Sequence, residues 1–310
     1  MLLAEVPDTV VVATSGSTGA PAKWSRSRDQ LLTEVGLLAA LWRCSRVDLI
    51  FAFAPPTHLY GVLTTLLLPA VLGVPVWYHP GVDAPATDVS GKGVGVTAIP
   101  WTFRILRRHR AVYATAVEIA IMHSTANLPP GAAETATGLG GEHVRITEVF
   151  GSTESGGIAH RVERDGVWTL FEDVRLNGPV GEETRLVVAG PRLAQGLTTW
   201  DTRDFVEVVD ERRFRFRGKR VRLRKINGVR VDLDVVEQRL REVVPVEDLA
   251  CVPVDDEVRG ESFAVLVVPF EPDGTLPTAI RVALKEFGLS PQEERMVDRI
   301  DRSETGKLRG

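Results

Sequence analysis

The sequence predicts an α/β protein: a mostly parallel sheet with helices on its faces, extended by a small β unit and followed by a small α+β C-terminal domain. Three observations carry this. Short apolar runs alternate with helix-like stretches over the first half of the chain, as expected of strands joined by crossover helices. From Gly178 to about Arg217 the apolar runs shorten and turns separate them, as in "TRLVVAG" and "DFVEVVD", which suits a barrel-like or antiparallel unit. Beyond a boundary near Gly218, a helix, a strand and a second helix form a shorter α/β unit.

Taken in order, "TVVVAT" is a strand that runs into the hydroxyl- and glycine-rich segment "SGSTGAPAK". A helix is expected over Gln30 to Trp42, a strand at "LIFAFA", a helix over Tyr60 to Leu72 and a strand at "VPVWY". The apolar run Val62 to Tyr78 contains two prolines and a glycine and is shorter than the ~20 residues of a membrane-spanning helix. It reads as a buried helix, a turn and a buried strand. "VGVTAIP" is a strand leading into the helix "WTFRILRRHR". In the last unit "DVVEQRLREVV" is a helix, "SFAVLVVPF" a strand and Thr278 to Phe287 a helix, ahead of the tail "DRSETGKLRG".

A chain of 310 residues has room for one large domain and a smaller one. With 44% hydrophobic and 25% charged residues its composition is that of a globular protein. A formal charge of −4 gives no general attraction to nucleic acid, so no nucleic-acid partner is expected. Cys44 and Cys251 form no CxxC pair, which speaks against a disulfide scaffold or thiolate zinc site and suits a reducing cytoplasm. "MLLAEVPD" lacks the basic and apolar regions of a signal peptide. The expectation is a cytoplasmic protein without a membrane partner. Charge is nevertheless concentrated locally: Arg212 to Arg230 holds ten basic residues and no acidic one. The alternation of basic and apolar residues there puts the arginines on one face of a strand or hairpin.

Two strand-end loops have chemical potential. "TSGSTGAPAK" offers backbone N–H groups, hydroxyls and a lysine to an anion. It is not a Walker A loop, because Pro21 and Ala22 occupy the positions of the second glycine and the lysine. An ordinary turn that caps the helix beginning near Asp29 is the competing reading. "EVFGSTESGG" carries Glu154 among small residues, where a carboxylate can hold Mg²⁺ beside phosphate oxygens; an exposed turn glutamate is the alternative. Thr153 stands where a hydrolase elbow would need serine.

Together, in order, these segments resemble the adenylate-forming (ANL) superfamily of acyl- and aryl-acid AMP ligases, carrier-protein adenylation domains and luciferases. The resemblance implies a phosphate loop of Thr14, Ser15, Gly16, Ser17, Thr18, Gly19 and Lys23. It implies an acid pocket with His58, Tyr60 and Gly61 from "APPTHLYG" and Gly156 from "FGSTESGG", and an adenine-side segment "MHSTANLP" that includes Ser124. Gly151, Ser152, Thr153 and Glu154 would meet the nucleotide, with Glu154 on Mg²⁺. Asp204 of "TWDTRDF" would hold the ribose hydroxyls, and Lys307 of "DRSETGK" would be the catalytic lysine. Residues 1–217 would then be a nucleotide- and acid-binding domain, 218–221 a hinge containing Lys219, and 222–310 a mobile lid. The implied reactants are ATP, Mg²⁺, a small carboxylic acid and, as acceptor, CoA or the phosphopantetheine of an acyl carrier protein. The basic stretch 212–225 would face the acceptor.

The sequence departs from the family pattern in four ways. A subdomain usually precedes the phosphate loop, whereas Thr14 stands near the start, so the chain resembles a truncated ANL-type N-terminal domain. Ala22 replaces the usual loop lysine, with Lys23 one place later; Lys219 replaces an arginine and loses its bidentate fork; Val221 replaces the hinge aspartate. Two rival readings follow. One is a noncatalytic nucleotide-binding relative acting as a partner or regulatory subunit; the other is a nucleic-acid contact through the basic stretch with Phe214 and Phe216.

Overall fold

The computed structural model describes residues 2–13, 22–79, 88–126, 128–129, 131–162, 166–218, 223–226, 229–256, 260–271, 274–286, 288–302 and 308. The strands of the first part are β1 (Thr9–Ala13), β2 (Lys23–Ser27), β3 (Leu49–Ala52), β4 (Val76–Tyr78), β5 (Gly93–Ala98), β6 (Glu118–His123) and β7 (Val144–Ser152). There follow β8 (Gly156–Arg161), β9 (Val167–Leu170), β10 (Arg175–Leu176), β11 (Glu183–Ala189), β12 (Trp200–Val208) and β13 (Arg213–Gly218). The C-terminal part has β14 (Leu223–Ile226), β15 (Val229–Asp232), β16 (Asp248–Asp256), β17 (Gly260–Val268) and β18 (Glu293–Met296).

One sheet of eleven strands runs β10-β11-β12-β13-β9-β8-β7-β6-β5-β3-β4. The half from β4 to β7 is parallel and the half from β7 to β10 antiparallel. The expected α/β architecture is therefore present, and the small β unit is hydrogen-bonded onto the parallel sheet. β1 and β2 form a separate antiparallel pair.

The parallel strands β3, β5 and β6 are buried on both faces, and period-two alternation sorts their side chains into two cores. Ile50, Ala52, Ala120 and Met122 face Leu31, Val35 and Leu38 of the helix Arg28–Leu41. Leu49, Phe51, Val94, Val96, Ile119 and Ile121 face Phe103, Ile105 and Leu106 of the helix Thr102–Arg108, together with Tyr113. The first of these helices starts at a capping box: Ser27 Oγ accepts from Gln30 N–H at 3.2 Å and Gln30 Oε1 accepts from Ser27 N–H at 2.9 Å.

The expected second helix runs from Leu59 to Leu72 with a π-helical stretch at Val62–Leu67. Pro69 has no N–H for the carbonyl four residues back, which accounts for a widened turn just before it. Gly73, at φ 69°, ends the helix in the left-handed conformation.

One expectation is overturned here. The strand read as buried at the end of the apolar run is β4, and Val76, Trp77 and Tyr78 are 39%, 51% and 39% exposed. β4 is the last strand of the sheet order, with a strand neighbour on one side only.

In the C-terminal part, β14–β15 and the sheet β16-β17-β18 pack with helices Leu233–Val243 and Leu276–Glu286 around Leu233, Leu240, Phe263, Val265 and Ile280, a small α+β unit. It meets the first part where Arg107 Nη2 pairs with Glu247 at 2.6 Å and the Arg107 guanidinium lies 4.8 Å from the Phe270 ring centroid. Among the described residues no helix is long and apolar enough to cross a membrane.

Leu38 is 1% exposed, so Leu38→Ala is expected to cost about 2–5 kcal/mol. Trp77→Ser at the open edge should cost no more than about 0.5 kcal/mol. Urea unfolding compares the two; equal midpoint shifts would contradict this division into core and edge.

Candidate active site

The parallel register aligns the carboxyl ends of the strands along one edge: Ala52 beside Thr97, Ala98 beside His123, and His123 beside Glu148. Ligands of open α/β sheets bind beyond this edge, and several of the expected residues gather there. His58 stands at the N-cap position of the helix after β3, with no capping hydrogen bond from its side chain. Tyr60 donates its hydroxyl to Met122 O at 2.7 Å, and burial pushes its phenol above the usual range, so it remains a neutral donor. A side chain at Gly61 would collide with the Pro55 carbonyl, so glycine lets the helix start close under the post-β3 loop. Ser124, just after β6, donates to Val149 O at 2.7 Å, and Thr125 beside it sits at φ 80°.

Two buried histidines at the same edge were not singled out from sequence. His79 stacks between Phe51 and Phe53, with centroids 5.4 and 5.2 Å away. His123 is 1% exposed; burial, with the charge of Arg161 adding, pulls its pKa down to about 3. Both are held neutral, as parts of the apolar floor.

The segment Thr153–Ser155 turns the chain from β7 into β8. Thr153 and Glu154 are half-buried, and the hydroxyls of Ser152 and Ser155 lie 3.0 Å apart. This turn rests on buried charges. Arg26, on β2 and fully buried, donates to Thr153 O at 3.1 Å and to Glu154 O at 3.5 Å, and pairs with Glu34 at 2.8 Å. The other oxygen of Glu34 accepts from Gly157 N–H at 2.7 Å. Arg192 donates to Gly157 O at 2.7 Å and grips Asp173 with bonds of 2.6 and 2.8 Å.

Burial lowers the Arg26 pKa, with Glu34 opposing. Burial pulls on Arg192 too, but the hydrogen bond with Asp173 and the charge of Glu34 outweigh it and raise its pKa; both remain cations. Gly156, at φ 70°, lies so close that a side chain there would strike Glu34 and Arg26.

Lys23 is exposed at the first residue of β2. Next to it, Trp24 packs edge-on against Trp200, centroids 5.8 Å apart, which brings the start of β12 to the same end of the molecule. Asp204, four residues along β12, is 2% exposed and follows Arg203, which takes φ 65°, in the stretch Asp201–Phe205 where the pairing with β11 shifts register. Gly151 and Ser152 are the last residues of β7. Thr14, Ser15, Gly16, Ser17, Thr18 and Gly19, with Lys219 and Lys307, lie outside the described residues.

The basic stretch is not one hairpin. Residues 213–218 are β13, hydrogen-bonded between β12 and β9, and residues 223–226 are β14, paired with β15. In β13 both backbone edges are taken, so no hairpin partner is needed. The alternation holds within it: Phe214 is buried while Arg213, Arg215 and Arg217 are exposed. Part of the charge is neutralised by Asp210 on Arg213 and Glu207 on Arg217.

Arg26, Glu34, Asp173 and Arg192 were missed by sequence reasoning. One signal existed: Glu34 falls on the apolar stripe Leu31, Val35, Leu38 of its helix, where a carboxylate needs a buried partner. Nothing local named that partner, since Arg26 sits in the polar string "KWSRSRD".

Comparison with curated proteins finds no match. Many solved structures share the fold, among them the following three. ATP-bound MatB from Rhodopseudomonas palustris superimposes with a TM-score of 0.74 at 18% identity, over 96% of this chain and 66% of its own. The anthranilate CoA ligase AuaEII with anthranoyl-AMP gives 0.77 at 17%, over 96% and 65%. The amide bond synthetase McbA from Marinactinospora thermotolerans gives 0.74 at 16%, over 96% and 67%. The chain thus spans about two thirds of the length of these proteins. The family model of the AMP-binding enzymes matches residues 7–196, from β1 through the turn after β11, and the chain belongs to that family, within the adenylate-forming superfamily.

Proposed function

We propose that this protein activates an acyl or aryl carboxylic acid with ATP as the acyl-adenylate, and then delivers the acyl group to a thiol of CoA or of a carrier protein's phosphopantetheine arm. The observation that carries the reading is the Thr153–Glu154 turn held at the carboxyl end of β7 inside an AMP-binding fold. Structural neighbours that hold ATP or anthranoyl-AMP support it.

The reaction is attack of a carboxylate oxygen on the α-phosphorus, with pyrophosphate leaving, and it needs phosphate charge offset and the reactants held in line. The hydroxyls of Ser15, Ser17 and Thr18 and the Lys23 ammonium would cradle the β- and γ-phosphates, with the glycines of the loop admitting close backbone approach. Ser124 would lie along the adenine, and Asp204 would accept from both ribose hydroxyls. His58, Tyr60, Gly61 and Gly156 would border the acid.

Among the described residues no three His, Cys, Asp or Glu side chains form a metal cluster. Mg²⁺ arriving with the nucleotide would be held by one carboxylate, Glu154, besides phosphate oxygens and water. Bound there, the ion offsets phosphate charge. Lys307 would bridge the acid carboxylate and the α-phosphate.

For thiol transfer, in which the sulfur attacks the acyl carbonyl of the adenylate, AMP leaves and the thiol proton is released, the unit 222–310 would swing about residues 218–221. The Arg107–Glu247 pair and the Phe270 contact belong to one docked arrangement and would break in that swing. The exposed arginines of β13 would then meet acceptor phosphates or an acidic carrier surface.

Three outcomes are expected. Purified protein with Mg²⁺ should exchange labelled pyrophosphate into ATP in the presence of one acid class from a panel of aryl, fatty and amino acids; ATP binding with no exchange across the panel would favour a noncatalytic partner role. Lys307→Ala should abolish adenylate formation yet spare thioester formation from supplied acyl-adenylate, and equal loss of both would refute that division. Glu154→Gln should lower exchange by about 10²-fold and raise the Mg²⁺ concentration needed; an unchanged Mg²⁺ dependence would remove Glu154 from the metal.

A further inference from the structure

The geometry points to Arg26 as a positioning residue that fixes the Thr153–Glu154 turn relative to the strand leaving the phosphate loop. Arg26 stands three residues after Lys23 on β2, so its backbone belongs to the first nucleotide segment while its guanidinium holds the second. One nitrogen donates to Thr153 O at 3.1 Å and another pairs with Glu34 at 2.8 Å. Glu34 completes the link by accepting from Gly157 N–H at 2.7 Å. Both ends of the segment 153–157 are thereby tied from beneath to residues 26 and 34.

The same two regions are joined a second time along the backbone, by Ala194 N–H to Glu154 O at 2.8 Å and Gln195 N–H to Ser25 O at 2.9 Å. Gln30 adds bonds to Pro191 O and Leu193 O at 2.9 and 2.7 Å.

Stability alone is a poor reason for such a cluster. Buried ion pairs bring little net stabilisation over apolar residues of similar size, because desolvation consumes the Coulombic gain. What arginine supplies is geometry: a planar fork whose N–H directions are fixed relative to one another. Here one branch is set by a carboxylate on the helix and the other by the main chain beside Glu154. Gly156 takes a left-handed φ of 70° where a side chain would collide with both charged groups, so the turn lies directly on the fork. If the turn and the phosphate loop grip one MgATP, their separation sets how well the α-phosphorus is aimed, and small misplacement is costly to rate.

This rests on the proposed adenylation. The test measures MgATP binding by calorimetry and acid-dependent pyrophosphate exchange for wild type, Arg26→Lys and Arg26→Met. Arg26→Lys keeps a cation beside Glu34 but loses the fork. It is expected to weaken MgATP binding about tenfold and lower kcat about a hundredfold, with the KM for the acid within twofold of wild type. Arg26→Met should be worse on the same two quantities, so that lysine rescues in part.

A folded Arg26→Lys protein with a lowered melting temperature but wild-type MgATP affinity and kcat would show a merely structural cluster and overturn the assignment. Where the Arg26 variants do not fold, the double variant Arg26→Met/Glu34→Met leaves no unpaired charge between these two positions, and its MgATP affinity decides by the same criterion. Wild-type protein that neither binds MgATP nor exchanges pyrophosphate overturns the proposed function and this role together; wild-type activity with unimpaired variants overturns this role alone.

Discussion

Burial of β3, β5 and β6 on both faces is the constraint from which the rest of the structure follows. Every residue of β3 and β5 is buried, so neither face of these strands can carry solvent-facing polar groups, and both must be covered. The helices Arg28–Leu41 and Leu59–Leu72 take one face and the helices Thr102–Arg108 and Arg110–Tyr113 the other. Polar chemistry is thereby displaced to the strand ends. That is where His58, Ser124, Thr153 and Glu154 stand, and the apolar strands fix their spacing with little freedom.

The change from parallel to antiparallel pairing occurs at β7, and the Thr153–Ser155 turn sits at that switch. A hairpin there sets the segment 153–157 against Arg26 and the Glu34 face of the helix Arg28–Leu41, with carbonyls and N–H groups in a buried setting where unmade hydrogen bonds are costly. The Arg26, Glu34, Arg192 and Asp173 cluster meets this demand with balanced charge. The turn is therefore held from its surroundings as well as by the Ser152 and Ser155 hydroxyls within it.

The C-terminal unit has its own core and touches the first part through Arg104, Arg107 and Phe270. The Arg107–Glu247 pair is partly solvated, with side chains 31% and 20% exposed, and such pairs are worth little in water.

The sequence by itself determined the α/β class and the more strongly patterned strands and helices, because periodicity and strand-end chemistry are local; β2, β6, β16 and β18 were not legible in it. "TVVVAT", "LIFAFA" and "VGVTAIP" announced strands, and motif order announced the family. Position in the sheet was not legible. "VPVWY" looked as buried as "LIFAFA", yet β4 ends the sheet while β3 lies inside it. Nor was the division of residues 212–225 between two sheets, since strands choose partners distant in sequence. The support of the candidate site lay hidden for the same reason: Arg26 meets Thr153 from 127 residues away, and only the tertiary fold brings a cation on an early strand beneath a turn between two later ones. Local pattern records what a residue needs; distant packing decides which residue supplies it.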